Sequence, residues 1–340
     1  MDNSKPTLLI TGGAGFIGSN FVTYFTKKHP DKQLINIDKL TYASSVDYIA
    51  NLPNKNYTFI QGDITDVKFV NELFNSFTIT GIINFAAESH VDRSINCAKT
   101  FMATNVYGAF NLINSAKTHW EKQGNIHTNR FHQISTDEVY GSLGANGSFH
   151  EDTPYDPRNP YSASKASADL IVKSFAYTYG MNVVISSCSN NYGPNQHKEK
   201  FIPTIISKAI KKEEIPIYGD GENIRDWLYV MDHCRAIDLI FHHANRLDKY
   251  NIGGNCEQTN NTIAKKVCAL LDEHPLTKKD GFKHEQLITY IDDRLGHDRR
   301  YSVDDSKLRK NLGWKQKVML EEGLEKTVDW YVRKWKEKIC

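Results

Sequence analysis

The chain of 340 residues has little that would suit a membrane or a nucleic-acid surface. No stretch approaches the ~20 apolar residues of a membrane span, and the apolar run at 7–10 is shorter than a signal peptide requires. The 42 basic and 40 acidic residues nearly cancel, and no basic block is longer than two adjacent lysines. These absences argue against a nucleic-acid partner and against a membrane partner.

Cysteine is scarce, and its spacing carries no recognisable motif. No two cysteines form a Cys-x-x-Cys pair, and no cluster of histidine and cysteine has zinc-finger spacing. Isolated reduced thiols are typical of the cytoplasm, so the sequence predicts a cytoplasmic protein without a metal. The six cysteines are Cys97, Cys188, Cys234, Cys256, Cys268 and Cys340.

What the sequence does have is a regular alternation of short apolar runs and longer helical patterns. This alternation predicts an α/β fold with a doubly wound parallel sheet of the Rossmann type. The predicted strands lie at 7–10, 34–38, 58–60, 81–86, 130–135 and 182–187, and the predicted helices at 16–28, 67–74, 102–119 and 161–179.

The alternation breaks down after about residue 190, where loops and short elements mix without a flexible linker. We therefore expect residues 1–190 to form the cofactor-binding domain. Residues 191–340 should form a smaller mixed lobe, mainly for the substrate, with some elements returning to the sheet. The final helix, at about 321–338, carries an apolar stripe that predicts packing on the core rather than on a partner.

The turn after the first strand contains Gly12, Gly15 and Gly18 in the spacing G-x-x-G-x-x-G. Such glycines permit a tight turn, let a pyrophosphate approach the helix N-terminus, and let the helix pack closely on the sheet. Asp38 ends the second strand, 20 residues after Gly18. A carboxylate there favours the ribose of NAD over the 2′-phosphate of NADP, although a strand-end Asp can also simply cap the next turn. Asp63 follows the third strand and is a candidate for the adenine site.

This glycine spacing resembles that of the extended short-chain dehydrogenase/reductase family. The resemblance implies a Tyr-x-x-x-Lys pair on a helix, which is present as Tyr161 and Lys165. The i,i+4 spacing places both side chains on one helix face. We expect the ammonium, with a cationic nicotinamide, to lower the pKa of the Tyr161 phenol toward that of a useful base.

The fifth predicted strand runs into Ser-Thr-Asp-Glu-Val-Tyr-Gly at 135–141. Open α/β sheets bind ligands beyond the carboxyl ends of their strands, so the acidic pair Asp137 and Glu138 is a candidate catalytic group, with a solvated turn as the alternative. This segment is similar to the signature of the dTDP-glucose 4,6-dehydratases. Segments at 84–94, 104–108, 189–194, 200–203, 218–227 and 293–301 resemble that family as well.

The resemblance implies an internal redox reaction on a nucleotide sugar, with NAD as the cofactor. Tyr161 would take the proton of the 4-hydroxyl as C4 gives up hydride, assisted by Thr136 and Lys165. Glu138 would remove the C5 proton and a protonated Asp137 would donate to the departing 6-hydroxyl, before hydride returns to C6. A 4-epimerase or decarboxylase on the same scaffold, or a silent NAD-binding protein, are the alternatives.

The resemblance also implies two sets of binding residues and, as is usual in the family, a homodimer formed by the helices near 102–119 and 161–179. The implied cofactor residues are Gly12, Gly15, Phe16, Ile17, Gly18, Asp38, Lys39, Thr41, Asp63, Ile64, Ala86, Ala87, Ser89, Thr104, Tyr161 and Lys165. The implied substrate residues are Ser89, Asn190, Asn191, Lys200, Arg225, Asn260, Arg294, His297 and Tyr301. The chain departs from the family pattern at Ser44, Ser45, Asn195, Leu295 and 256–258, which leaves the base preference open.

Overall fold

A parallel sheet of seven strands dominates the computed structural model, which describes residues 2–50, 52, 55–278 and 280–337. The strand order is β10-β6-β5-β4-β1-β2-β3, and every pairing is parallel. These strands are β1 (Thr7–Thr11), β2 (Gln33–Asp38), β3 (Tyr57–Gln61), β4 (Ile79–Asn84), β5 (Arg130–Thr136), β6 (Asn182–Cys188) and β10 (Lys249–Ile252). The predicted doubly wound sheet is confirmed.

Five further strands form two small sheets in the second half of the chain. The first has the order β11-β9-β7 with one antiparallel pairing, and the second pairs β12 with β8. They are β7 (Asn190–Tyr192), β8 (Ile215–Tyr218), β9 (Ile224–Tyr229), β11 (Glu257–Thr259) and β12 (Ile288–Ile291). The expected smaller mixed lobe is therefore present.

Helices cover both faces of the large sheet, as fully buried parallel strands require. They are α1 (Phe16–Lys28), α2 (Val67–Ser76), α3 (Val91–Asn96), α4 (Ala98–Phe101), α5 (Ala109–Lys122), α6 (Pro160–Tyr179), α7 (Phe201–Lys211), α8 (Val230–His243), α9 (Asn260–Glu273), α10 (Ser306–Leu312) and α11 (Leu320–Glu337). A π-helical stretch (Met102–Gly108) joins α4 to α5, and short 3₁₀ turns occupy Val46–Tyr48, Asp137–Tyr140 and His284–Leu287. None of these described helices is both long and apolar enough to cross a bilayer.

The second half of the chain also completes the large sheet. Strand β10 pairs with β6 at the sheet edge, and α8 buries Val230, Cys234 and Ile237 in the same core cluster as β1 and α1. The apolar stripe of α11 packs into the core of the smaller lobe, as expected, through Leu324 and Val328. The predicted end of that helix, Lys338, lies outside the described residues, as does Cys340.

The sheet reverses its winding at β1, which pairs with β2 on one side and with β4 on the other. In open α/β sheets the carboxyl ends of the strands at such a reversal border a ligand crevice. The turns that follow β1, β4 and β5 therefore converge on one place, where the candidate site lies.

Candidate active site

The glycine turn after β1 leaves room for a phosphate group at the start of α1. Gly12 has φ of +72°, and a Cβ on it would lie 2.7 Å from the backbone nitrogen of Ala86. A Cβ on Gly18 would lie 2.2 Å from the Gly12 carbonyl oxygen. Gly15 precedes the first residue of α1, and a Cβ there would meet only the Gly12 oxygen, at 3.3 Å. Two of the glycines are thus required by backbone packing, whereas Gly15 faces the crevice and suits a diphosphate at a helix N-terminus.

The Asp38 carboxylate stands at the carboxyl end of β2 and is nearly buried. One oxygen accepts a hydrogen bond from the backbone N–H of Ala14 at 3.0 Å, and the other accepts one from that of Leu40 at 2.8 Å. The carboxylate therefore holds the turn, as the alternative interpretation supposed, while still lining the crevice. Beyond it, Lys39 Nζ lies 2.6 Å from Asp63 Oδ2, which closes the outer end.

A single cleft brings together all the residues implied to bind the cofactor. The glycine turn before α1 and the start of α6 both belong to this lining, and the residues present fit a dinucleotide. The cleft is lined by Gly12, Gly15, Phe16, Ile17, Gly18, Asp38, Lys39, Thr41, Asp63, Ile64, Ala86, Ala87, Ser89, Thr104, Tyr161 and Lys165.

The acidic pair follows β5 in a 3₁₀ turn at the inner end of this cleft. Asp137 is 2% exposed, its Oδ1 accepts a hydrogen bond from the Thr136 hydroxyl at 3.3 Å, and its Oδ2 has no partner. Burial, together with the neighbouring charge of Glu138, raises the pKa of Asp137 well above its usual value. Asn159 Nδ2 lies 3.5 Å from Glu138 Oε2. Asp137 is therefore suited to be a protonated acid with a free O–H beside a carboxylate.

Tyr161 and Lys165 lie one turn apart near the start of α6. Asn159 and Ser162 form a capping box there and Pro160 occupies the first turn, so the helix start is firmly set. Lys165 Nζ donates to the Ile134 carbonyl at 2.6 Å, which ties the lysine to β5.

The predicted lowering of the Tyr161 pKa involves a cationic nicotinamide as well as the Lys165 ammonium, and the protein's own groups act in the opposite direction. Burial, reinforced by the charge of Glu138, raises the pKa of Tyr161 well above its usual value. Burial also lowers the pKa of the Lys165 ammonium. Desolvation raises the pKa of this phenol because Tyr161 is 8% exposed and packed against Val91 and Phe101.

Four of the implied substrate residues line the same cleft beside the acidic pair: Ser89, Asn190, Asn191 and Lys200. Lys200 Nζ donates to the Ser89 carbonyl at 2.8 Å, and burial lowers its pKa. Asn191 bonds to Ser189 and to the buried ring of His233. The chain segments 89–90 and 190–200 therefore form one wall.

The other implied substrate residues are not in the lining of this cleft. Arg294 has a buried Nε without a hydrogen-bond partner, and its terminal nitrogen lies 3.6 Å from Asp92. His297 Nδ1 is 2.6 Å from Asp293. Asn260 stands in the first turn of α9, and its backbone N–H donates to the carbonyl of Asn223.

The Arg225 guanidinium makes most of its contacts within the protein. Its guanidinium donates to the carbonyls of Ile224 at 2.7 Å and Asp298 at 2.8 Å, and it stacks over the Tyr301 ring at 4.3 Å. Tyr301 in turn donates to Asp298 at 2.5 Å. Sequence reasoning identified the cations but could not indicate how many of their donors the backbone uses.

The structure adds several cleft residues that the sequence did not identify, namely Glu88, Cys188, Gln196, His197 and Glu199. Glu199 directly precedes Lys200 in the loop resembling the substrate loop, which was the available signal. The Arg93 guanidinium also stacks on the Tyr42 ring at 3.6 Å, and no spacing rule predicts such a contact.

Comparisons with known proteins agree with this geometry. The family model described as GDP-mannose 4,6 dehydratase matches residues 9–327. The dTDP-glucose 4,6-dehydratase of Xanthomonas campestris pv. campestris (strain B100) is 46% identical over 329 residues, covering 96% of this chain and 93% of that protein. The structure of dTDP-glucose 4,6-dehydratase from Bacillus anthracis str. Ames with NAD has a TM-score of 0.85 at 39% identity and covers 98% of each chain. The enzyme of the same name from Streptomyces venezuelae, with NAD and dTDP bound, has a TM-score of 0.87 at 38% identity, covering 98% of this chain and 100% of that one.

Proposed function

We propose that this chain, which belongs to the GDP-mannose 4,6-dehydratase family, converts dTDP-glucose to dTDP-4-keto-6-deoxy-glucose and water, as the names of its dTDP-glucose 4,6-dehydratase relatives indicate. It is an NAD-dependent lyase. The observation that carries this proposal is the buried acid Asp137 beside the carboxylate Glu138, in the same cleft as Tyr161. A 4-epimerase needs neither a C5 base nor a C6 acid, so it would have no use for this pair.

The glycine turn and the other lining residues of the cleft would hold NAD, which would supply a reversible hydride acceptor for sugar C4 and C6. The side chains supply the proton transfers. Tyr161 takes the proton of the 4-hydroxyl, and the Thr136 hydroxyl orients that oxygen. Glu138 removes the C5 proton, and Asp137 donates the proton of its unpartnered Oδ2 to the departing 6-hydroxyl, so that water leaves. A proton returns to C5 once hydride has been added to C6.

The high pKa of Tyr161 bears on when it can act as a base. Burial and Glu138 raise that pKa, so a cation close to the phenol is needed for the phenolate to form. In the proposed mechanism these cations are the Lys165 ammonium, which donates to the Ile134 carbonyl, and the positively charged nicotinamide of bound NAD. Proton removal is thereby confined to the loaded enzyme.

We further propose that Lys200, beside the acidic pair, and Arg294, outside the lining of the cleft, hold the diphosphate of the substrate. Lys200 is half-buried and donates to the Ser89 carbonyl, and Arg294 has a buried Nε without a hydrogen-bond partner. Burial and the charge of Arg294 both lower the pKa of the Lys200 ammonium, so an anion bound near the two cations would favour their charged forms. Arg225, His297, Tyr301, Asn260, Asn190 and Asn191 complete the proposed substrate set. In this arrangement residues 1–190 bind the cofactor and residues 191–340 mainly bind the sugar nucleotide.

The decisive experiment mixes the purified protein with dTDP-glucose, and separately with UDP-glucose and UDP-galactose, without added reductant. Mass spectrometry should show loss of one water from dTDP-glucose, and the Glu138→Gln variant should lose this activity by about 10²-fold or more. A product of unchanged mass with inverted C4 would mean that the enzyme is an epimerase. No turnover by a protein that holds NAD would point to a different sugar nucleotide or to a silent binding protein.

The homodimer is also a proposal, and it is supported by exposed apolar side chains on the two helical segments concerned. Tyr107 and Phe110 are 47% and 39% exposed, and Leu170 and Tyr177 on α6 are 59% and 66% exposed. Large apolar side chains grouped on one face usually mark an interface. We place the enzyme in the cytoplasm, where a nucleotide sugar would be available, and its product would serve deoxysugar synthesis such as that of rhamnose.

A further inference from the structure

A cluster of two histidines and an aspartate lies outside the catalytic cleft, where α1 packs against α8. His29 directly follows the last residue of α1, and Asp238 and His242 are one turn apart on α8. His29 Nε2 lies 2.9 Å from Asp238 Oδ1, and His242 Nδ1 lies 3.2 Å from the same oxygen. The two imidazole rings stack with their centroids 5.1 Å apart. No residue of this cluster lines the cleft.

The two separations between imidazole nitrogen and Asp238 Oδ1 match those between ligands that share one metal ion. Metal–nitrogen and metal–oxygen bonds of ~2.1 Å place neighbouring ligand atoms ~3.0 Å apart in an octahedron and ~3.4 Å apart in a tetrahedron. Within the described residues, one ligand atom from each of His29, Asp238 and His242 can be chosen so that all three lie within 4.8 Å of one another. An ion beside Asp238 Oδ1 would therefore need only small side-chain movements to reach both rings.

The donor set selects the class of ion. Two imidazoles and one carboxylate suit Zn²⁺, Ni²⁺ or Co²⁺, whereas Mg²⁺ and Ca²⁺ prefer sites made of oxygen. The Asp238 side chain is 3% exposed while those of His29 and His242 are 22% and 32% exposed, so an ion can enter from solvent. Water would complete the coordination.

Some contacts of Asp238 favour the binding of a metal ion beside it, and others oppose that binding. Lys28 Nζ lies 2.6 Å from Asp238 Oδ2, and the Tyr24 hydroxyl lies 3.4 Å from it. These contacts orient the carboxylate with Oδ1 toward the rings, as outer partners do in metal sites. The Lys28 charge opposes a cation, but its side chain is 50% exposed and can turn to water. His242 must also give up the hydrogen bond of its Nδ1 to the Asp238 carbonyl, at 2.8 Å.

We propose that His29, Asp238 and His242 bind one divalent transition-metal ion of the zinc, nickel or cobalt class. The ion would join the end of α1, the helix that begins at the glycine turn, to α8 from the second half of the chain. Its role would be to stabilise the fold, because it lies apart from the groups that react. A ligand that binds only the folded state stabilises it by RT ln(1 + [L]/Kd), so the melting temperature should rise with the concentration of free ion.

The test uses the untagged, NAD-containing protein after treatment with a chelator. Titration with Co²⁺ should produce a visible absorption band that saturates at one ion per chain, and Zn²⁺ should displace it and raise the melting temperature. The His29→Asn and His242→Asn variants should each lose this equivalent. The matched control is His243→Asn, which changes the exposed neighbouring histidine and should keep it.

Two outcomes would overturn the proposal. One is a wild-type protein that binds no stoichiometric ion and whose melting temperature does not respond to Zn²⁺. The other is a doubly substituted His29→Asn, His242→Asn protein that still binds the same equivalent, which would place the ion elsewhere. Far-UV circular dichroism checks that each variant is folded, and the chelator-reversible shift in the wild type stands independently of every variant. Dehydration of dTDP-glucose should be unchanged with and without Zn²⁺.

Discussion

Asp137 and Glu138 are adjacent in the chain but meet different surroundings in the fold. Asp137 is 2% exposed with one oxygen unpartnered, whereas Glu138 lies within reach of the Asn159 amide. Burial raises the pKa of Asp137. Two carboxyl groups with opposite proton-transfer roles need such a difference, and we accordingly propose Asp137 for the acid role.

Replacing Asp137 by Asn should stabilise the protein at neutral pH while lowering dehydration by about 10²-fold or more. The folded pKa of Asp137 lies above the unfolded value of ~3.9, so its contribution to stability is complete below that pH and declines as pH rises toward the folded value. The Asp137→Asn variant has no ionisable group and does not lose this stability. The loss that it avoids is roughly 1.4 kcal/mol for each pH unit between the unfolded and folded pKa values of Asp137. Urea unfolding at about pH 5 and about pH 8 should show a larger advantage for Asn at the higher pH. An equal difference at both pH values would mean that Asp137 is ionised in the fold.

Asp169 supplies the second residue-scale prediction. It is 1% exposed, one turn beyond Lys165 on α6, and it accepts hydrogen bonds from Ser135 at 2.5 Å and Tyr155 at 2.9 Å. Its negative charge raises the pKa of the buried Lys165 ammonium, against the effect of desolvation. Asp169 therefore favours the charged form of the proposed catalytic lysine, although burial raises the pKa of Asp169 itself.

The Asp169→Asn variant should therefore lose roughly 1–3 kcal/mol of unfolding free energy, because it removes a charge that favours the buried ammonium and weakens the hydrogen bonds from Ser135 and Tyr155. Chemical denaturation measures this loss. The matched control is Asp152→Asn, an exposed position for which we expect a change within about 0.5 kcal/mol. Equal stability of the two variants would show that Lys165 is neutral in the folded protein.

At this scale the sequence predicted which residues meet in the cleft better than it predicted their electrostatics. The glycine turn, Asp38, the acidic pair and the Tyr161–Lys165 pair each lie at a strand end or helix start, which local patterns reveal. The rise in the pKa of Tyr161 depends on burial by residues distant in sequence, such as Val91 and Phe101. The backbone carbonyls that occupy Arg225 are likewise set by tertiary packing.

The connection from β1 to α1 gives a prediction at the scale of an element. A methyl group on Gly18 would meet the Gly12 oxygen at 2.2 Å, whereas one on Gly15 would meet it at only 3.3 Å and would point into the crevice. Gly18→Ala should therefore destabilise the fold. Gly15→Ala should leave the melting temperature nearly unchanged and weaken NAD binding by about tenfold, equivalent to ~1.4 kcal/mol.

Thermal melting and NAD titration of both variants test this division of roles. Gly124→Ala is unsuitable as a control because Gly124 has a positive φ. An exposed helical position such as Lys68→Ala provides the neutral reference. If Gly15→Ala binds NAD as tightly as the wild type, the diphosphate does not approach that residue.

Elements with strong periodicity were predicted well, and short ones were not. Strands β1, β2 and β4 are buried on nearly every residue, so their apolar runs are conspicuous. Strands β8 and β12 have four residues each and pair only with each other. Strands this short form because they pair with a strand that is distant in the chain. The local sequence does not specify that partner.

At the scale of the whole molecule, the exposed apolar side chains of α6 and the preceding helices predict self-association. Replacing both Leu170 and Tyr177 by Glu should convert a dimer into a monomer of 38.8 kDa in light scattering. The control is Met319→Glu, since Met319 is also exposed, at 53%, but lies outside these helices. A wild-type protein with the mass of one chain would disprove the dimer.

The position of β10 at the sheet edge has a consequence for synthesis on the ribosome. β6 ends at Cys188 and β10 begins at Lys249, so about 60 residues must be translated before the edge of β6 can be paired. At ~5–20 residues per second the nascent chain presents an open β edge for roughly 3–12 seconds. An unpaired edge of this kind is a site of mispairing between chains. Newly made copies of this enzyme should therefore depend on chaperones that bind during elongation, before the last third of the chain has emerged.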